Sequence, residues 1–232
     1  MKILLIIPAY NEADSLPSLL TELVDYPQYD IVVINDASKD DTAKVAAQYN
    51  VPCVSLPVNL GLSGAVQTGF LYATEYQYDV CIQIDGDGQH VPAEIAKLVK
   101  KMEEGNDIVI GSRFLESNGK YEQSFFRAFG AKYLTFLIKA FSGLKLTDPT
   151  SGMRAFRRNI FVKMAYETNE RPEPDTILAY ARRKKKIVEV QVDMRERMAG
   201  ESYLRLPQAI RYMVENTLSC FFVVFKVRKK RG

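Results

Sequence analysis

Val80-Cys81-Ile82-Gln83-Ile84-Asp85-Gly86-Asp87-Gly88-Gln89-His90 is an apolar, β-branched run that breaks into two carboxylates one residue apart. The first half reads as a buried strand and the second as a glycine-bearing turn at its carboxyl end. The same unit recurs upstream. Ile3–Pro8 runs into Ala9-Tyr10-Asn11-Glu12, Ile31–Asn35 into Asp36-Ala37-Ser38-Lys39-Asp40, and Cys53–Leu56 into Asn59-Leu60-Gly61-Leu62-Ser63-Gly64. Helical stretches are predicted at Ser15–Val24, Thr42–Tyr49, Ser63–Tyr76 and Pro92–Glu103, the last with Pro in its first turn. Strands that alternate with helices predict an α/β fold: a Rossmann-like, mostly parallel central sheet flanked by helices. Ligands of such sheets bind outside the carboxyl ends of the strands, and the polar segments converge on that edge. A fifth strand, Ile108–Gly111, delivers Ser112 and Arg113 to it.

Length and composition agree. The 232 residues suit one sizeable α/β domain, or a domain plus a small appendage, and 47% hydrophobic with 25% charged residues exclude disorder and collagen-like repeats. Cys53, Cys81 and Cys220 are an odd number without metal-ligand spacing, which points to a reducing cytoplasm. The apolar start Met1–Pro8 reads as a first strand instead of a secretion leader, because Pro8, Asn11 and Glu12 cut it off. From Ala181 to the end there are 14 Lys and Arg against 5 Asp and Glu, a basic end suited to anionic lipid, nucleic acid or an anionic substrate.

The second half predicts an aromatic-rich helix from Phe125 to Phe141, the polar stretch Thr147–Arg154 and a strand at Ile187–Met194. From Leu206 on, Leu206, Ile210, Met213, Val214, Thr217, Leu218, Phe221 and Phe225 recur at helical spacing. This is a C-terminal amphipathic helix whose apolar run falls well short of the ~20 residues that span a bilayer. The expected division is 1–203 for the catalytic domain and 204–232 for a basic helix serving membrane association or oligomerisation. Completion of the core is the plainer use of the same helix.

Asp85 and Asp87, one residue apart on a turn, can hold a hard divalent cation through oxygen, with Gln89 adding a neutral donor. Such an ion, Mn²⁺ or Mg²⁺, would bridge a diphosphate. Alone, Asp-Gly-Asp reads more readily as a glycine turn with two solvated acids, and its place among polar strand ends reverses that in favour of the ion. Arg113 offers a cation for a phosphate oxygen, or a surface ion pair. Glu12 and Asp36 suit hydrogen bonds from ribose hydroxyls or a base N–H, or helix capping. The glycines of Asn59–Gly64 lack the Walker lysine and the Gly-x-Gly-x-x-Gly spacing. His90 is the only histidine, so neither a zinc site nor a Ser-His-Asp arrangement is available. Nucleic-acid binding is disfavoured, since the basic end sits beside an apolar helix face instead of stacking aromatics.

Pro8-Ala9-Tyr10-Asn11-Glu12, Asn35-Asp36-Ala37-Ser38-x-Asp40-x-Thr42, Asn59-x-Gly61, Asp85-Gly86-Asp87-Gly88-Gln89-His90, Gly111-Ser112-Arg113 and Asp148-Pro149-Thr150-Ser151-Gly152-x-Arg154 occur in order. Together they resemble family 2 glycosyltransferases of the GT-A fold, over essentially residues 1 to 203. Within the family the chain is most similar to the polyprenyl-phosphate glycosyltransferases, the subgroup of dolichol-phosphate mannose synthases and undecaprenyl-phosphate sugar transferases.

The resemblance implies that Pro8, Tyr10, Glu12, Ile34 and Asp36 hold the nucleoside. It places Asp85, Gly86, Asp87 and Gln89 at the metal and diphosphate, Arg113 on a phosphate, and Ser112, Arg127 and Arg197 on the acceptor phosphate. Asp87, Arg113, Arg127 and Arg197 would carry catalysis. A lysine usual directly after the late motif Arg197–Ser202 is Tyr203 here. The Gln-x-x-Arg-Trp motif of processive synthases is absent, and arginines 113, 127, 154 and 197 remain to surround two phosphates. Asp148 could serve an alcohol acceptor as base, or simply form a turn before Pro149. The implied activity is inverting transfer of a hexose or N-acetylhexosamine from a nucleotide sugar, UDP-linked by resemblance, to undecaprenyl phosphate for cell-surface glycan synthesis. The enzyme would lie peripherally on the inner face of the cell membrane, as a homo-oligomer or with a small membrane partner protein. Rival readings are transfer to a hydroxyl of a growing glycan and a non-catalytic nucleotide-sugar-binding partner subunit.

Overall fold

The computed structural model describes residues 1–116, 125–167, 173–195 and 206–229. The strands are β1 (Ile3–Ala9), β2 (Asp30–Asn35), β3 (Cys53–Ser55), β4 (Val80–Gln83), β5 (Ile108–Ser112), β6 (Arg154–Arg157) and β7 (Ile187–Gln191). They form one sheet in the order β3-β2-β1-β4-β6-β5-β7. Among the described strands only β6 runs against its neighbours: Arg154 lies opposite Gln83 of β4 and Ile110 of β5. This reversed strand was not legible in the four residues Arg-Ala-Phe-Arg. Because β6 starts at the edge where β4 and β5 end, it delivers the segment 147–153 to the same edge.

Among the described residues eight α-helices cover the sheet: α1 (Leu16–Leu23), α2 (Thr42–Gln48), α3 (Gly61–Glu75), α4 (Ile95–Glu103), α5 (Phe125–Ser142), α6 (Arg158–Tyr166), α7 (Pro174–Arg182) and α8 (Leu206–Lys229). Pro92–Glu94 form a 3-10 turn ahead of α4. Alternation along β1 divides the core. Leu4 and Ile6 pack with Phe70 of α3, Ile138 of α5, Phe161 of α6 and Leu178 of α7. Ile3, Leu5 and Ile7 pack with Leu16 and Leu20 of α1, Ala46 of α2 and Leu98 of α4. Every residue of β1 is buried, as a parallel strand covered on both faces requires.

The C-terminal helix is part of this core. Cys220 is fully buried in the first cluster, Ser219 donates a hydrogen bond to the Asp175 carboxylate of α7, and Phe221 meets Phe141 of α5 edge-on. A Cβ on Gly130 of α5 would lie 3.0 Å from Met213 Sδ, so that glycine lets the two helices approach. The opposite side of α8 is also apolar: Val214, Leu218, Phe222 and Phe225 stand exposed on it, with Phe221 at the boundary between the two sides. The sequence expected one apolar face, whereas the structure divides these residues between two.

Candidate active site

Three loops meet where β1, β2 and β4 end. Asn11 enters the left-handed region (φ 55°), and its side-chain oxygen accepts the Lys39 N–H at 2.8 Å. In return the Asn11 N–H donates to Ser38 Oγ, the Glu12 N–H to Thr42 Oγ1 and the Ala13 N–H to Asp40 Oδ2. Burial pushes the Asp40 carboxyl up, but the Thr42 hydroxyl and the Ala13 and Thr42 N–H groups outweigh it and hold the carboxyl below its usual range. Asp36 is buried, and its Oδ1 accepts the Leu60 N–H at 2.7 Å, bracing the segment after β3. Pro8 and Ile34 lie side by side in register, and Ile34 is wholly within the core. Tyr10 is exposed at the rim.

The acidic turn sits on this platform. Ser15 Oγ lies 2.5 Å from Glu12 Oε2 and 2.9 Å from the Gly86 carbonyl oxygen, and a Cβ on Gly86 would come within 3.2 Å of the Pro8 carbonyl oxygen. Asp85 Oδ1 accepts a hydrogen bond of 2.8 Å from Gln83 Nε2. The Asp85 N–H donates to His90 Nδ1 at 2.9 Å, which leaves the imidazole proton on Nε2. Asp87 is buried, and its Oδ1 accepts the Gln89 N–H at 3.0 Å. Gly88, at φ 75°, supplies the left-handed residue this turn needs. Gln89 is paired through its backbone oxygen with the Arg195 N–H.

Two acidic side chains with a neutral amide beside them match a hard divalent cation. Gly152 lies against Asp85, and a Cβ there would fill the space at Oδ2, so the fold leaves that oxygen room for a ligand. Among the described residues no group of three or more His, Cys, Asp or Glu closes on a cation. Protein oxygens would then leave coordination positions for a diphosphate and water.

On the far side of β4 the structure makes a pair that the sequence kept 35 residues apart. Arg113 Nε donates to Asp148 Oδ2 at 2.6 Å and its terminal nitrogen to Oδ1 at 2.8 Å, with Asp148 wholly buried. Asp148 is therefore engaged on both oxygens by Arg113. Ser112 is also buried, its hydroxyl 2.6 Å from Thr147 Oγ1. Thr147 in turn donates to Glu189 Oε2, and the Glu189 carboxylate also accepts the N–H groups of Thr147 and Asp148. Burial pushes the Glu189 carboxyl up despite these bonds, which pull the other way. Nothing in the sequence singled out Glu189, an acid in the alternation of a strand. Arg154, grouped above with the arginines available to phosphate, is turned inward, its guanidinium donating to the Pro149 carbonyl. Arg197 and Tyr203, and the side chain of Arg127 on α5, lie outside the described residues.

The model of glycosyl transferase family 2 matches residues 4–164, from β1 into α6. This chain belongs to glycosyl transferase family 2. As a family 2 enzyme it is 34% identical over 216 residues to the undecaprenyl-phosphate mannosyltransferase of Micrococcus luteus, which covers 87% of each chain. It is also 34% identical over 227 residues to the undecaprenyl-phosphate 4-deoxy-4-formamido-L-arabinose transferase of Klebsiella pneumoniae, covering 92% of this chain but 66% of that longer protein. The glucosyl-3-phosphoglycerate synthase of Mycobacterium tuberculosis, solved with Mn²⁺, uridine diphosphate and phosphoglyceric acid, superposes with a TM-score of 0.71. It covers 96% of this chain and 78% of its own at 17% identity, a likeness of fold. The fold is GT-A, as the order of the strand-end motifs implied.

Proposed function

We propose that this family 2 glycosyltransferase transfers a hexose or N-acetylhexosamine from a UDP-sugar to undecaprenyl phosphate, with inversion, at the inner face of the membrane. The observation that carries the choice of acceptor is Asp148, buried and held on both oxygens by Arg113. A sugar hydroxyl must lose a proton to a positioned base, and this acid is not placed to take it. A lipid phosphate is already anionic and needs alignment and cations instead. The names of both relatives, undecaprenyl-phosphate transferases, support the same acceptor.

In this reading Pro8, Tyr10, Glu12 and Asp36 line the nucleoside end, and Ile34 supports it from within the core. Asp85, Asp87 and Gln89 would hold Mn²⁺ or Mg²⁺, which when bound supplies charge neutralisation at the departing diphosphate. A phosphate oxygen of the acceptor forms the new bond to the anomeric carbon as the bond to the nucleoside diphosphate breaks. Arg113, Arg127 and Arg197 serve the phosphates, while Ser112, expected on the acceptor phosphate, is buried with its hydroxyl on Thr147 and holds the segment beside Arg113. No helix among the described residues is long and apolar enough to cross a membrane. The exposed apolar side of α8 supports peripheral attachment instead.

The test is incubation with Mn²⁺, undecaprenyl phosphate and labelled nucleotide sugars, followed by solvent extraction. Label is expected in the lipid phase, and Asp87→Ala, folded as judged by circular dichroism, is expected to abolish it. Label that stays aqueous with every donor rejects the polyprenyl acceptor.

A further inference from the structure

Gly152, in the segment leading into β6, is remote in sequence from the acidic turn yet packs on it. A Cβ built there would overlap Asp85 Oδ2 and lie 3.1 Å from both Cγ and Oδ1, and these three Asp85 atoms are its nearest neighbours. The backbone at 152 is not left-handed, so alanine would meet no conformational objection of its own. Two further groups bound the same carboxylate. Gln83, buried on β4, donates to Oδ1 at 2.8 Å, and the buried His90 accepts the Asp85 N–H at Nδ1 with its Nε2 3.7 Å from Oδ2.

A carboxylate gripped at one oxygen, anchored at its own backbone and given room at the other oxygen presents its lone pairs in one direction. Groups that orient a ligand in this way tune affinity about as strongly as many ligands do. We propose that Gly152 is a positioning residue for cation binding: its missing side chain lets Asp85 keep the orientation that Gln83 and His90 fix. The inference rests on Asp85 being a cation ligand. It adds that the 147–153 segment, which also places Asp148 against Arg113, sets the affinity of the cation site.

Mn²⁺ binding in the presence of UDP, read from the electron paramagnetic resonance of free Mn²⁺, tests this apart from turnover. Four proteins are compared: the natural chain, Gly152→Ala, Asp85→Ala and the double variant. Gly152→Ala is expected to weaken Mn²⁺ by about 10- to 100-fold with an unchanged melting temperature, and to add nothing in the Asp85→Ala background. Natural affinity in Gly152→Ala beside a loss in Asp85→Ala overturns the positioning role alone. Natural affinity in Asp85→Ala overturns the ligand reading beneath it. Should Gly152→Ala not fold, Gln83→Met removes the amide donor at similar volume, and undiminished Mn²⁺ affinity there rejects the proposal.

Discussion

Arg113 closes on Asp148 through two hydrogen bonds, at 2.6 and 2.8 Å, with the carboxylate out of reach of solvent. Removing one partner of a buried pair strands the other, at a cost of about 3–5 kcal/mol. The Arg113 side chain keeps 15% of its exposure, which favours the lower end. Asp148→Asn is therefore expected to lower the unfolding free energy by about 3 kcal/mol in urea. Its residual transfer should keep the acidic limb of the pH profile. Loss of that limb would return Asp148 to the role of base.

The Asp40 carboxylate ties the loop after β2 to Ala13, and it is held below its usual range by those bonds, burial notwithstanding. A carboxyl depressed in the folded state stabilises above the pKa of the unfolded chain, and the contribution disappears as pH falls through the folded value. Asp40→Asn should thus unfold at lower urea than the natural chain at neutral pH, and the gap should narrow at acid pH, as the folded carboxyl takes up its proton. An equal gap at both pH values would remove the ionised carboxylate from the account.

Gly69 sits within α3, where glycine costs up to about 1 kcal/mol relative to alanine. A Cβ there would overlap Ile6 Cγ2 of β1 and lie 2.9 Å from Ile6 Cδ1. Overpacking a close core costs about 1–3 kcal/mol and exceeds the helical gain. Gly69→Ala should lower the urea midpoint. A stabilised variant would mean that α3 can move off the sheet.

These residues also mark what the sequence could reveal. β1, β2, β4 and β5 were legible because strands buried on both faces need nearly continuous apolar runs, and Ile3–Pro8 and Val80–Ile84, interrupted only by Gln83, supply them. The site edge followed, since topology alone puts Glu12, Asp36, Asp85 and Arg113 at strand ends. β6 was not legible: four residues with arginine at both ends carry no strand signal, and only pairing with β4 and β5 makes them one. α6 and α7 also went unread. The pairing of Arg113 with Asp148, the clamp by Glu189 and the contact of Gly152 with Asp85 all bridge segments that the chain keeps apart, so no local pattern encodes them.

The two apolar sides of α8 should separate under mutation. Cys220 is fully buried in the core, whereas Phe222 and Phe225 are 72% and 65% exposed. Deleting the helix would open the core and confuse attachment with folding. Phe222→Asp combined with Phe225→Asp should instead leave stability within about 0.5 kcal/mol, because neither side chain fills a packed site. Each phenylalanine withdrawn from lipid forfeits about 1.5–3 kcal/mol of apolar burial. Cosedimentation with anionic liposomes should therefore weaken by at least about tenfold. Undiminished sedimentation of the folded double variant would show that membrane attachment does not use this face of α8.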